Sequence, residues 1–87
     1  MQFLHTDLGH LSGGEVVEVS LDAAANVLLM DSSDFSSYRS GRDHGYRGGW
    51  KTRSPCRFRV PTPGHWHVTI DLAGGSGSIR SSVRVLR

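Results

Sequence analysis

The residue types best suited to binding a ligand are concentrated between positions 38 and 53. Arginines and aromatic side chains alternate there on a glycine-rich stretch, and the residues concerned are Tyr38, Arg39, Arg42, His44, Tyr46, Arg47, Trp50 and Arg53. Arginine binds carboxylate or phosphate groups through paired hydrogen bonds, and aromatic faces stack on bases or sugars. Glycines also let backbone N–H groups approach an anion. This segment is therefore the candidate contact surface of the chain.

Three interpretations of the segment follow from these residue types. In the first, Tyr38, Tyr46 and Trp50 close the open end of a β-sandwich, while the arginines face solvent or pair with Asp31 and Asp34. In the second, the segment contacts a protein or a small acidic ligand. In the third, it binds nucleic acid or another polyanion, which the scarcity of lysine disfavours. We expect a protein or a small acidic ligand rather than nucleic acid.

Two histidines separated by one residue, His65 and His67, would lie on one face of a strand and present two nitrogens to a metal ion. Asp71 is about 13 Å from His67 along that strand, too far to share the ion. A third ligand would have to come from elsewhere in the chain, where the other histidines are His5, His10 and His44. No His-Glu-x-x-His motif or cysteine pair is present. We therefore expect solvent-facing sheet histidines, with no metal and no cofactor.

The common sequence motifs of catalysis are missing. The string Gly75-Ser76-Gly77 places a serine in a hairpin but lacks the spacing of a nucleophile elbow. There is no Walker motif and no dinucleotide-binding fingerprint. The single cysteine, Cys56, starts an alternation with Phe58 and Val60, which predicts a core position rather than an exposed nucleophile. We expect an interaction module and not an enzyme.

The elements that must position these residues are predicted to be short strands. Alternation of apolar and polar residues marks 15–21, 56–60, 65–72 and 78–86, and the apolar run 27–30 predicts a strand covered on both faces. About seven short strands at 8–12-residue spacing predict an all-β fold, an antiparallel β-sandwich or flattened barrel. A helical turn or an irregular strand is expected near 33–38, and Ser33 could cap the turn.

The core of this fold is expected to centre on the strand that carries Trp66, Val68 and Ile70. Its other predicted members come from three further strands and are Val17, Val19, Phe58 and Val83. A chain of 87 residues supports one such core, so we expect a single domain over residues 1–87. Because small isolated sheets leave edges exposed, a homodimer through a sheet edge is a further expectation.

Charge is distributed unevenly along the chain. Residues 1–38 hold six acidic side chains and no lysine or arginine, whereas residues 39–59 hold seven basic side chains against Asp43. Such asymmetry is a hint of a polyanion partner. The alternative is that acidic strands pair with basic strands, so that the charges cancel on one surface.

Cysteine use and hydropathy give an expectation for the compartment. A lone Cys56 cannot form an intrachain disulfide, which suits the reducing cytoplasm. No apolar run approaches the roughly 20 residues of a membrane span, and the first residues lack the basic region of a signal peptide. We therefore expect a cytoplasmic protein without membrane association.

Several short motifs are spread along nearly the whole chain. They are Leu29–Asp31, Tyr38, Gly41, Tyr46, Gly48-Gly49, Ser54-Pro55, Val60-Pro61, Gly64-His65-Trp66, Asp71-Leu72 and Ser82-Val83-Arg84-Val85. In these motifs the chain resembles a small bacterial family known only as a domain of unknown function. The resemblance implies a compact all-β, intracellular bacterial protein. Some members are fused to a TIR domain, which implies a sensing or interaction role, and the family brings no assigned catalytic residues.

Overall fold

Seven strands and one helix make up the part of the chain that the computed structural model describes, residues 3–72 and 77–86. In chain order they are β1 (Leu4–Leu11), β2 (Val16–Leu21), β3 (Ala25–Asp31), α1 (Ser32–Arg39), β4 (Arg47–Lys51), β5 (Cys56–Arg59), β6 (Gly64–Asp71) and β7 (Ser81–Leu86). The predicted antiparallel sandwich of about seven strands is confirmed. The flattened-barrel alternative is wrong, because the strands form two separate sheets.

In both sheets, neighbouring strands are not consecutive in the sequence, apart from β3 and β4. Sheet A has the strand order β1-β6-β3-β4, and sheet B has the order β5-β2-β7. Every strand pairing in them is antiparallel. Strands β6 and β7, which flank the predicted hairpin at 74–77, belong to different sheets; that connection lies largely outside the described residues.

The main core lies between the sheets and contains most of the predicted residues. The buried predicted members are Trp66, Val68, Ile70, Val17, Val19 and Phe58. Val83 packs against this core but is only half-buried, because β7 is an edge strand of sheet B. Cys56 is half-buried at the same core, and burial raises the pKa of its thiol, which fits a packing role rather than a nucleophilic one.

Sheet A is also covered on its second face, by helix α1. Phe35 and Tyr38, three residues apart on the helix, pack with Leu28 and Met30 of β3, and Phe3 completes this smaller cluster. Alternate residues of β3 face the main core instead, so the prediction that 27–30 is covered on both faces is confirmed.

The N-terminus of helix α1 is capped by a carboxylate. Asp31 is the N-cap, and its Oδ1 accepts a 2.8 Å hydrogen bond from the backbone N–H of Asp34. The expectation that Ser33 is the cap is therefore wrong, because the helix already begins at Ser32 and the Asp31 carboxylate accepts the hydrogen bond from the Asp34 N–H. The helix is also longer than one turn, since it runs from Ser32 to Arg39.

An ionic rung crosses the outer face of sheet B. Glu18 is directly opposite Arg57 on one neighbouring strand and Arg84 on the other. Arg57 lies 2.8 Å from Glu18 Oε2, and Arg84 Nε donates to Glu18 Oε1 at 2.6 Å. Hydrogen bonds from Arg84 and Arg57 hold the pKa of Glu18 below its usual range. The rung is one place where acidic and basic parts of the chain cancel, as one interpretation of the charge pattern expected.

The two tryptophans give a matched test of this packing. Trp66 is 7% exposed between the sheets, whereas Trp50 is 53% exposed. Trp66→Ala removes a core side chain and should lower the free energy of unfolding by about 3–5 kcal/mol. Trp50→Ala should change it by less than about 0.5 kcal/mol. Urea denaturation of both variants measures the difference, and equal losses would contradict the sandwich register.

The Glu18 rung predicts a specific acid dependence. Because the folded pKa of Glu18 is lowered, its contribution to stability is present above its unfolded pKa and is lost as the pH falls through the folded pKa. The gap in melting temperature between wild type and Glu18→Gln should therefore narrow from pH 6 toward pH 3. Asp43→Asn, which removes an exposed loop carboxylate, serves as the control. A gap that stayed constant over this range would contradict the rung.

Candidate functional site

Three exposed side chains of the predicted contact segment lie on strand β4 or on the residue before it. Tyr46, Arg47 and Trp50 are called the β4 surface below. Tyr46 is 54% exposed and Trp50 is 53% exposed, whereas Tyr38 is buried between helix α1, to which it belongs, and sheet A. The interpretation in which all three aromatic residues close the sandwich is therefore wrong for Tyr46 and Trp50.

Strand β4 is an edge strand whose backbone geometry requires glycine. It pairs with β3 on one side and, among residues 3–72 and 77–86, with no strand on the other. The register sets Trp50 opposite Asn26 and Arg47 opposite Leu29. Gly48 has φ +120°, and a Cβ there would lie 2.1 Å from the carbonyl oxygen of Val27. Only glycine lets β4 approach β3 this closely.

The loop before β4 is attached to helix α1. The N–H of Gly45 donates to Asp34 Oδ1 at 3.0 Å. The His44 ring packs edge-on against Tyr38 with 5.1 Å between centroids, and it lies 5.4 Å from the Tyr46 ring. The helix thereby sets the position from which Tyr46 enters the edge of the sheet.

The arginines of the segment do not all share this surface. Arg39 lies 5.5 Å from the centre of the Phe35 ring, so it covers the helix rather than the edge strand. Arg42 and Arg53 are exposed. Of the two alternatives for the arginines, facing solvent agrees with the exposure of Arg42 and Arg53. Pairing with Asp31 and Asp34 is wrong within the described residues, where the ion pairs involve other groups. The two carboxylates are used instead for the helix cap and for Gly45.

A shallow cleft opens beside the β4 surface. It has a volume of about 490 Å³ and is lined by Leu29, Met30, Asp34, Tyr46, Arg47, Pro61, Thr62 and Trp66. Arg47 is the arginine of the predicted segment that reaches it, and the Trp66 indole N–H is occupied by the carbonyl of Thr62. The cleft offers apolar walls with one cation and one carboxylate at its rim.

A second group of side chains that can do chemistry lies across strands β1 and β6. His5, Asp7, His65 and His67 are called the histidine cluster below. His65 Nε2 is 2.6 Å from Asp7 Oδ1, and His5 Nε2 is 2.8 Å from His67 Nδ1. One potential ligand atom from each of Asp7, His65 and His67 lies within 4.8 Å of the others. This is a donor set of nitrogen and oxygen atoms.

A β-bulge in β1 positions the carboxylate of this cluster. The register with β6 shifts between Asp7 and Gly9, and Gly9 has φ +73°. The N–H of Gly9 donates to Asp7 Oδ1 at 2.8 Å. That hydrogen bond and the one from His65 hold the pKa of Asp7 below its usual value. The bulge therefore fixes an ionised carboxylate beside the histidines.

Helix α1 holds His67 from the other side. Ser32 Oγ lies 2.7 Å from His67 Nε2, and the Phe35 ring stacks on the imidazole with 4.7 Å between centroids. Burial lowers the pKa of His67, so the ring is neutral at pH 7.

The expectation of solvent-facing histidines on this strand is wrong for His67, while His65 is exposed. His67, Thr69 and Asp71 are all buried, because the helix covers this face of sheet A. Tyr38 donates a 2.5 Å hydrogen bond to Asp71 Oδ2, and the Asn26 amide donates to the same carboxylate at 3.4 Å. Asp71 therefore has a structural role. It is not among the residues whose ligand atoms lie close to His67, as expected from its distance along the strand.

Sequence reasoning named His5 as one of three possible further ligands and missed Asp7. His5 and Asp7 stand two residues apart, which is the spacing of one strand face, but nothing in the sequence showed that β1 pairs with β6. The register places Asp7 directly opposite His67. The two-residue spacing of His5 and Asp7 could have indicated one strand face, but the pairing of β1 with β6 could not be predicted from the sequence.

Comparison with known families identifies the chain at the level of a domain. The family model described as "Domain of unknown function (DUF1883)" matches residues 1–87. The chain belongs to the DUF1883 family. The predicted resemblance to a domain-of-unknown-function family is thereby confirmed. No curated protein and no solved structure matches this DUF1883 domain. Over the described ranges 3–72 and 77–86, no helix has the length and apolar character needed to cross a membrane.

Proposed function

We propose that this DUF1883 domain is a non-catalytic interaction module that binds an acidic, extended segment of another protein at the β4 surface. The observation that carries the proposal is the exposure of Tyr46, Arg47 and Trp50 together on an edge strand. A partner strand can add to such an edge through main-chain hydrogen bonds, while side chains on the edge give specificity.

The aromatic side chains are suited to anchoring a partner. Tyrosine, tryptophan and arginine dominate the binding energy of protein interfaces, because each buries a large area at a small entropic cost. Tyr46 and Trp50 are four residues apart, which corresponds to about 13 Å along an extended strand. An extended peptide of five or so residues would span both anchors, and the cleft beside Tyr46 and Arg47 would receive one apolar side chain.

Charge supplies the preference for an acidic partner. Strand β4 carries Arg47 and Lys51, and Arg42 and Arg53 lie within five residues of it in the sequence. Asp43 is the only acidic residue between positions 42 and 53. Among the described residues none of these cations takes part in an ion pair. Carboxylates of a bound segment would meet this positive field, and the arginines could form paired hydrogen bonds with them.

Nucleic acid is the alternative partner for the same residues. The exposed rings of Tyr46 and Trp50 could stack on bases, and the cations could neutralise phosphates. Two features favour the protein partner instead. Lysine is scarce in the contact segment, and the free edge of β4 among the described residues can form main-chain hydrogen bonds with a peptide but not with a nucleic acid.

We also infer a bacterial, cytoplasmic setting for the domain. The support is the family resemblance together with the single cysteine, whose half-buried thiol fits a reducing compartment. Family members fused to TIR domains would use such a module to bring an effector to its binding partner.

Peptide selection followed by affinity measurement tests the proposal. Random decapeptides displayed on phage would be selected on the immobilised domain, and an enriched peptide would be labelled for fluorescence anisotropy. We expect enriched peptides to be acidic and to shift the amide resonances of β4. Trp50→Ala should weaken their binding by about 30-fold, which corresponds to the loss of about 2 kcal/mol at an interface anchor.

A charge-matched control separates local contact from general attraction. Arg47→Ala should weaken the peptide strongly, whereas Arg80→Ala removes one exposed cation outside the β4 surface and should have little effect. Equal effects of the two variants, or shifts confined to other strands, would contradict the proposal. Oligonucleotides would be titrated in parallel. Micromolar binding at physiological salt that Arg42→Ala with Arg47→Ala abolishes would replace the protein partner with a polyanion.

A further inference from the structure

The histidine cluster lies at the opposite edge of sheet A from the β4 surface. Strand β1, which carries His5 and Asp7, is the first strand of the sheet, and β4 is the last. The cluster is therefore independent of the proposed peptide site. It gathers three imidazoles and one carboxylate on two neighbouring antiparallel strands, and none of these groups belongs to the main core.

We propose that the histidine cluster is a binding site for a divalent transition-metal ion of the zinc type. Imidazole nitrogen and carboxylate oxygen are the protein ligands that zinc takes besides cysteine, at about 2.0–2.2 Å. Ligand atoms of a tetrahedral zinc site then lie about 3.3 Å apart. Asp7, His65 and His67 are the members whose ligand atoms lie within 4.8 Å of one another, so they would hold the ion. The 2.6 Å contact between Asp7 and His65 needs to open by less than about 1 Å, and His67 needs to approach by no more than about 1.5 Å.

Close approach of two imidazole nitrogens is itself informative. His5 Nε2 and His67 Nδ1 point at each other, so one of them must carry a proton or both must share a cation. Strand β1, toward which His67 Nδ1 points, also carries Asp7 directly opposite His67. An ion placed between the two strands would be reached by donors from both of them.

The groups around the cluster are placed as outer-shell partners of a metal are. A metal-bound histidine usually donates its second ring N–H to an oxygen, which fixes the ring orientation. Ser32 Oγ is the oxygen placed for this purpose beside His67, 2.7 Å from Nε2. The bound carboxylate is likewise held, because the N–H of Gly9 donates to Asp7. Packing of Phe35 against both His5 and His67 limits the movement of the two rings.

An ion can enter this site from solvent. The side chains of His65 and Asp7 are 47% and 53% exposed, so one side of the cluster is open, while His67 closes the other side. The sequence did not show which element would supply a ligand beyond His65 and His67. The neighbouring strand β1 supplies Asp7.

Metal titration of the whole chain tests the proposal. The protein would be stripped with a chelator and titrated with zinc chloride by calorimetry, and with cobalt(II) by visible absorption. We expect a single zinc ion per chain and the intense absorption of low-symmetry, four-coordinate cobalt. His65→Gln and Asp7→Asn alter exposed ligands and should each weaken zinc binding by at least about 10-fold, the effect already produced by loss of an outer-shell partner.

The controls separate this site from binding to any surface histidine. Asp7→Asn keeps an oxygen that can accept from Gly9, so the bulge should persist, and a thermal melt of the metal-free variants verifies their folding. His44→Gln removes a histidine outside the cluster and should leave zinc affinity within about two-fold of wild type. Absence of stoichiometric zinc binding, or equal affinity in wild type, His65→Gln and Asp7→Asn, would overturn the proposal.

Discussion

The hydrogen bond from Tyr38 to Asp71 joins helix α1 to the second face of sheet A, and both candidate sites depend on that attachment. Burial and the hydrogen bond to Asp71 raise the pKa of the Tyr38 hydroxyl, so it stays a donor at any physiological pH. With the helix in place, Ser32 reaches His67, and Asp34 holds Gly45 before strand β4. One packed helix thus orders the edges on both sides of the sheet.

The arrangement also explains how so small a domain is stabilised. A sandwich of short strands buries one layer of side chains, but sheet A gains a second layer because the helix covers Leu28 and Met30. Strand β3 is consequently buried on both faces, while the edge strands keep exposed side chains available for contact. The buried carboxylate of Asp71 is satisfied by protein groups rather than by solvent, because it accepts hydrogen bonds from Tyr38 and Asn26.

The alternation of apolar and polar residues predicted the strands, but it did not predict which distant strands pair with each other. Alternation around Trp66 and the apolar run at 27–30 predicted both strands and most of the core, because burial repeats every second residue. The pattern could not show that helix α1 would cover His67 and Asp71, nor that β1 would bring His5 and Asp7 beside them. Those facts are set by contacts between residues 33 to 62 positions apart, and no local propensity encodes them. Residue type also could not show whether Tyr46 and Trp50 would be buried or exposed, because aromatic side chains occur in both settings.

The most direct measurement of this account is the stability of Tyr38→Phe in urea. Phenylalanine keeps the ring against Phe3 and removes only the hydroxyl that donates to Asp71. Loss of a buried hydrogen bond to a charged group should lower the free energy of unfolding by about 1.5–3 kcal/mol, with a single cooperative transition. An unchanged free energy of unfolding, within about 0.5 kcal/mol, would contradict the claim that this bond attaches the helix to the sheet.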